Sequence, residues 1–253
     1  MFERVSFTAT TTDVAQQGLD ALVRLYGQTD FEDADVVVAL GGDGFMLQTL
    51  HATNAYKLPV YGMNRGTIGF LMNAYHESNL LMRLCDAERA EIHPLSIKVI
   101  CRNGAVHKAL AINEVSLLRA GPQASKLRIS VDGRTRMDEL VCDGVLLATP
   151  AGSTAYNYSA HGPILPIDAE VFALTALNAF RPRRWRGALL PQKAHVAFEV
   201  LEPEKRPVRA DADSKSFDEV QRVEIASERS IVHRLLFDPG HGLEERLISE
   251  QFV

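Results

Sequence analysis

Val36-Val37-Val38-Ala39-Leu40 runs without a spacer into Gly41-Gly42-Asp43-Gly44, and then into Phe45, Leu47 and Leu50, with Met46 between, at helical spacing. A short, wholly apolar and largely β-branched run predicts a strand covered on both faces, so this should be a central strand. The glycines let the chain turn sharply into a helix N-terminus, where free amides and the helix dipole favour a bound phosphate. Asp43 is out of place in such a site. A carboxylate beside phosphate is repelled unless a divalent cation bridges the two or the acid takes a proton from an attacking hydroxyl, which reads as phosphoryl transfer. No Lys-Ser or Lys-Thr follows the glycines, and the six-residue dinucleotide fingerprint is also unmatched. On the tetrapeptide alone, a tight turn in which Asp43 only caps the helix is an equal alternative.

With 253 residues, 46% of them apolar, the chain can build one large core or two modest ones. A net charge of -5 with interspersed acids and bases speaks against nucleic acid as a partner, so a small molecule is expected. Cys85, Cys101 and Cys142 are too scattered for a disulfide framework or a zinc site. Met1-Phe2-Glu3-Arg4 does not open a charged-then-apolar leader and no apolar run reaches spanning length, so a cytoplasmic protein without a membrane partner is expected.

The organisation changes midway. Up to residue 93 the pattern is α/β: a strand over Arg4 to Ala9, a helix ending near Tyr26, the central strand with its helix, and a strand at Leu58 to Asn64. That strand ends in a second glycine loop, Arg65-Gly66-Thr67-Ile68-Gly69-Phe70-Leu71, and a helix is predicted from Ser78 or Asn79 to about Ala90. Loops at the carboxyl ends of such strands form ligand crevices, so the two glycine loops are expected to share one. From residue 94 to 237 short alternating strands dominate, including Ala109 to Leu118, a hairpin turn at Asp132-Gly133, and a last strand at Ser230 to Phe237. A closing helix from about Leu243 is expected to pack back on the first domain, which would comprise 1–93 with 238–253. The fold class is thus an α/β Rossmann-like domain followed by an all-β domain.

Within the β region, Asp143-Gly144 leads through an apolar strand to Thr149-Pro150-Ala151-Gly152-Ser153-Thr154-Ala155-Tyr156-Asn157. Small side chains leave a slot for a flat base, hydroxyls can read its edge, and Tyr156 can pack on it or on the sugar. A mere helix cap at Gly152-Ser153-Thr154 is the plain alternative. Asn113-Glu114 interrupts an apolar strand, so one of the two polar side chains must face inward or lie at a bulge, where ribose hydroxyls would satisfy it. Arg181, Arg183, Arg184 and Arg186 surround Trp185 and suit phosphate, a subunit contact, or an ordinary solvated loop.

Taken together, Gly41-Gly42-Asp43-Gly44, Gly62-Met63-Asn64 with the loop to Leu71, Asn113-Glu114, and Asp143-Gly144 with Thr149 to Tyr156 stand in the order seen in NAD kinases. The chain resembles that family from about Ala34 to Asp211. The tetrapeptide is shared with diacylglycerol kinases, sphingosine kinases and 6-phosphofructokinases, whereas the long small-residue loop is more specific. The resemblance implies NAD bound in a cleft and phosphorylated by ATP on the 2′-hydroxyl of its adenosine ribose, with Mg2+ or another divalent cation. Asp43 would be the general base, with Gly41, Gly42 and Gly44 near phosphates. Asp43, Gly44, Asn113, Glu114, Ser153, Thr154, Ala155, Tyr156, Ser159 and Asp211 would bind NAD, and Asp143 would reach the ligand of a neighbouring subunit in a homodimer or homotetramer. No metal ligand is assigned. Phe45, Ala212 and His161 depart from the family pattern, the last in a position usually held by glycine. A lipid kinase of the same superfamily and a non-catalytic NAD(P) sensor are the alternatives.

Overall fold

The structure, a computed structural model, describes residues 2–66 and 69–252. Its chain begins with β1 (Val5–Ala9), α1 (Asp13–Tyr26), β2 (Val36–Gly41), α2 (Asp43–Thr53), β3 (Val60–Asn64), α3 (Leu80–Asp86) and β4 (Glu88–Ile92). All six residues of β2 are buried, as an apolar run between two parallel partners requires. The helix predicted to continue to Ala90 instead stops at Asp86. Glu88 to Ile92 turns into a strand, because pairing at a sheet edge overrides the helical leaning of this charged segment.

Twelve strands follow: β5 (Leu95–Cys101), β6 (Val106–Ala111), β7 (Glu114–Arg119), β8 (Ser125–Val131), β9 (Arg134–Cys142), β10 (Gly144–Ala148), β11 (Val171–Leu177), β12 (Gly187–Pro191), β13 (Val196–Val200), β14 (Val208–Ala212), β15 (Lys215–Phe217) and β16 (Val220–Ser227). The short helix α4 (Tyr156–Ser159) lies between β10 and β11. The strands form two six-stranded antiparallel sheets, β12-β11-β10-β7-β14-β15 and β6-β5-β16-β13-β8-β9. One core joins both: Val115, Val145 and Phe172 from the first sheet cluster with Ile97, Ile129 and Phe198 from the second. Asp132 and Gly133 both take positive φ, 51° and 74°, and make the tight turn of the β8–β9 hairpin. The segment expected as a single strand, Ala109 to Leu118, is two strands that leave each other at Ile112 and Asn113.

The chain then returns with β17 (His233–Phe237) and α5 (Leu243–Glu250). Ser230 to Phe237 does not close the β-rich region, since β17 inserts between β3 and β4 in the first sheet, ordered β1-β2-β3-β17-β4. Its fully apolar Leu235-Leu236-Phe237 needs cover on both faces, which an interior position in the α/β sheet supplies. The compact units are accordingly 1–92 with 231–253, and 93–230. Leu243 and Leu247 bury the inner side of α5 within the first unit.

Candidate active site

In the first unit β2 ends at Gly41, Gly42 caps α2, and Asp43 is the first helical residue. Met46 N–H and Phe45 N–H both donate to Gly42 O, so the turn is closed by its own main chain and not by a side-chain cap. Asp43 is therefore available for other work. Its Oδ2 accepts from Phe70 N–H and its Oδ1 from Leu71 N–H, each at 2.8 Å. These donors come from the second glycine loop, of which Thr67 and Ile68 lie outside the described residues. Gly66 N–H is held by Asn64 Oδ1 at 2.8 Å. Burial pushes the Asp43 carboxyl upward from its ordinary value. The Leu71 and Phe70 amides, and then the charge of Arg246, oppose that shift. A Cβ built on Gly44 would meet nothing within 4 Å, so open space lies beside the acid at the amino end of α2.

Arg246 and Asn73 also belong to this region, although no motif or spacing in the sequence singles them out. Arg246 Nη1 donates to the carbonyls of Gly69, Phe70 and Met72 at 3.3, 3.0 and 2.6 Å. Asn73 donates to Gly62 O and Leu236 O and accepts from Asp238 N–H, while Asp238 binds Tyr61 and Arg83.

In the second unit the break between β6 and β7 is fixed by Asp213, an acid that no sequence pattern marks. It accepts from Ile112 N–H at 2.7 Å and from Asn113 N–H at 2.9 Å. Thr149 fastens the same place from the other side: its N–H donates to Asn113 O, its hydroxyl donates to Ile112 O, and it accepts from Gly152 N–H. Gly152 is pressed so closely on Asn113 that a Cβ would collide with the main chain there. Asn113 and Glu114 are thus held rigidly. Asn113 Oδ1 and Glu114 Oε2 are buried without a hydrogen-bond partner among the described residues, which is costly unless a ligand completes them. Desolvation first, and then the like charge of Asp213, raise the Glu114 carboxyl to about 7 against a hydrogen bond from the Tyr156 main chain.

The small-residue loop divides its labour. Ser153 is fully buried, donating to Pro150 O and accepting from Leu165 N–H, so its hydroxyl shapes the loop from within. Asn157 does likewise, donating to Ser153 O and Pro163 O and accepting from Thr175. Thr154 and Ala155 are half-buried, Tyr156 and Ser159 exposed. Tyr156 is brought beside Asp211, Glu114 and Asp143, whose charges add to desolvation in raising its phenol. Asp211 itself is tied to Arg209 and Ser216. Asp143 is engaged by Asn178 and Arg119, which hold it below the usual carboxylate range. A cavity of about 690 Å³ is lined by Asp143, Tyr156, Ser159, His161, Arg184 and Trp185 among others, so His161 and part of the arginine cluster share a wall with the expected binding residues. Arg181 and Arg183 instead lie against Phe180.

Among the described residues no group of three or more His, Cys, Asp and Glu side chains is placed to cage a metal ion. A Mg2+ ion carried by a triphosphate does not need one, since it keeps waters and phosphate oxygens as most of its ligands.

Residues 4–84 match the ATP-NAD kinase N-terminal domain and residues 112–231 the ATP-NAD kinase C-terminal domain. The NAD kinase of Cereibacter sphaeroides is 62% identical over 251 residues, covering 99% of both chains, and that of Caulobacter vibrioides is 57% identical over 98% of this chain and 96% of its own. Among solved structures, yeast NADH kinase complexed with NADH shares the fold at a TM-score of 0.84 and 19% identity, covering 99% of this chain and 87% of that one. An NAD kinase from Archaeoglobus fulgidus in complex with ATP superimposes at a TM-score of 0.73 and 25% identity, covering 97% of this chain and 96% of that one. A chain matched in both halves by this family's domains, and more than half identical to full-length relatives, belongs to the NAD kinase family.

Proposed function

We propose that this protein transfers the terminal phosphate of ATP to the 2′-hydroxyl of the adenosine ribose of NAD, giving NADP, with Asp43 as general base. The observation that carries the base assignment is the seating of Asp43. Asp43 sits at the amino end of α2 and both its oxygens are fixed by main-chain N–H groups of the Phe70-Leu71 loop, yet each keeps a lone pair for an incoming hydroxyl proton. Partial burial makes the carboxylate more basic than one in water, and the two amides keep it ionised and aimed.

Such a reaction needs little covalent chemistry from the protein. Positioning, neutralisation of phosphate charge and one base suffice. The open space at Gly44, at the amino end of α2, suits phosphate oxygens, and a divalent cation bound to those oxygens would neutralise charge there. Asn113 and Glu114 supply two buried acceptors that dinucleotide hydroxyl or amide donors would satisfy. Tyr156 supplies a ring for base or sugar, with Thr154, Ala155, Ser159 and Asp211 around it. The proposal extends to a homodimer or homotetramer in which Asp143 reaches a neighbour's ligand, and to a cytoplasmic location. No helix among the described residues is long and apolar enough to cross a membrane.

The test is chemical. Purified protein with NAD, ATP and magnesium should form a product carrying phosphate on the adenosine 2′-oxygen, identified by phosphorus NMR. Tight binding of NADP with no product formed under any donor would make the protein a sensor and overturn the assignment.

A further inference from the structure

The last helix of the chain reaches the loop that holds the proposed base. Gly69 O and Phe70 N–H are opposite ends of one planar peptide unit, and Phe70 O and Leu71 N–H are opposite ends of the next. Asp43 takes the two N–H ends at 2.8 Å each. Arg246 Nη1 takes the two O ends, at 3.3 and 3.0 Å, and the carbonyl of Met72 at 2.6 Å. Because a peptide plane is stiff, fixing its oxygen fixes the direction of its N–H. A cation on the oxygen also polarises the amide and strengthens it as a donor.

The guanidinium is itself well seated. Its Nε donates to His241 O at 2.8 Å, and its carbon lies 5.1 Å from the centre of the Phe237 ring. Among the described residues every acceptor of its hydrogen bonds is a main-chain carbonyl, an unusual use for a half-buried cation that would otherwise be expected to seek a carboxylate. Asp238, the acid close by after β17, is taken up by Arg83 and Tyr61. The charged and titratable groups that reach Arg246 are Asp43 on α2, Asp238 after β17 and Tyr61 on β3.

We infer that Arg246 is a positioning residue for the phosphoryl-transfer step, acting through the Gly69–Met72 main chain to keep the Phe70 and Leu71 amides aimed at both oxygens of Asp43. The inference rests on Asp43 being the base. It makes α5 part of the catalytic apparatus, although no residue of that helix need touch a substrate.

The experiment measures kcat, KM for NAD and the pH profile of kcat in Arg246→Met, Arg246→Lys and Asp43→Asn. Methionine keeps much of the packing volume over Phe237 but removes the charge and all donors. Without Arg246 the ionised form of Asp43 loses a nearby cation and well-aimed amides, so its protonation moves to higher pH and the acid limb of kcat moves up with it. Arg246→Met is expected to lower plateau kcat at least about tenfold, with KM for NAD within about threefold and the acid limb displaced by about half a pH unit or more. Lysine, which keeps the charge but lacks the planar fork, should return the limb toward wild type more fully than it returns the plateau. Wild-type kcat and an unmoved limb in Arg246→Met would overturn the inference, as would a fall in kcat with the limb in place and KM rising in step. Should the methionine variant not fold, the lysine variant decides: unchanged kcat overturns the inference, reduced kcat with a nearly normal limb supports it. Asp43→Asn separates this from the parent reading. Wild-type turnover there removes the base and the inference together, whereas an inactive Asp43→Asn beside a normal Arg246→Met removes the inference alone.

Discussion

Asp43 and Asp213 share a hydrogen-bond pattern, each accepting from two consecutive main-chain N–H groups with one carboxylate oxygen apiece, whereas Asp35 takes the Glu3 and Arg4 amides on a single oxygen. In the α/β unit Asp43 takes Phe70 and Leu71, and in the β-rich unit Asp213 takes Ile112 and Asn113. Their surroundings reverse the meaning of the pattern. Around Asp43 the loop is itself held by Arg246, there is open space at Gly44, and burial makes the carboxylate more basic: the main chain positions the acid. At Asp213 the acid ends a gap between two strands and presses its charge on Glu114, so the acid positions the main chain and perturbs its neighbour. A bidentate carboxylate–amide contact is therefore not in itself a catalytic sign. What distinguishes a base is a free approach for the proton it must take.

The largest effect that would sharpen this contrast comes from the packing behind Asn113. Alanine at Gly152 would drive a methyl group into the Asn113 main chain, and the loop and the strand break must then separate. Gly152→Ala should cost about 3 kcal/mol of stability, measured by urea unfolding at fixed ligand-free conditions. A stable, fully binding variant would show that the break is softer than its contacts imply. Next comes Asp213→Ala, which strips two buried N–H groups of their acceptor. NAD affinity should fall about 30- to 100-fold by calorimetry, because Asn113 and Glu114 lose their fixed direction, while turnover at saturating substrates stays within about threefold. A collapse of turnover at unchanged affinity would exchange the roles of the two acids.

The smallest effect is a matter of pH. Glu114, with a folded-state value of about 7 against 4.5 in model compounds, holds its proton more tightly when folded. Its full contribution to stability is present below its unfolded value and is lost as pH rises from about 4.5 through 7. Glu114→Gln removes that loss. The variant should match the wild type near pH 4.5 and exceed it by about 2 kcal/mol at pH 8, somewhat less than the whole linkage because a buried amide carries its own desolvation cost. Parallel stability curves for the two proteins across this range would show that burial and the Asp213 charge do not raise Glu114.

How much of this is legible in the sequence follows from the range of the interactions involved. The β2 strand and its glycine turn are readable because burial on both faces writes itself as an unbroken apolar run, and the Asp132-Gly133 turn because positive φ selects those residues. The polar pair Asn113-Glu114 stands out by breaking an apolar pattern, and one side-chain oxygen of each is buried without a partner among the described residues. Strand membership is another matter. His233 to Phe237 has the same local pattern as any buried strand, and pairing with Val60 and Tyr61 on one side and Glu88 to Ile92 on the other, far back in the chain, assigns it to the first sheet. Arg246 and Asp213 are invisible for a similar reason. Each works on the main chain of a segment about a hundred residues or more away in sequence, and main-chain partners leave no trace in residue identities.

The central proposal is that Asp43 takes the proton of the accepting hydroxyl. It is tested most directly by NADP formation in Asp43→Asn at saturating NAD and ATP, with the NAD dissociation constant measured on the same preparation. The amide can still accept a hydrogen bond at one oxygen but cannot take a proton, so turnover should fall by at least about a hundredfold while the dissociation constant stays within about threefold. Turnover equal to that of the wild type, with NAD still bound, would contradict it.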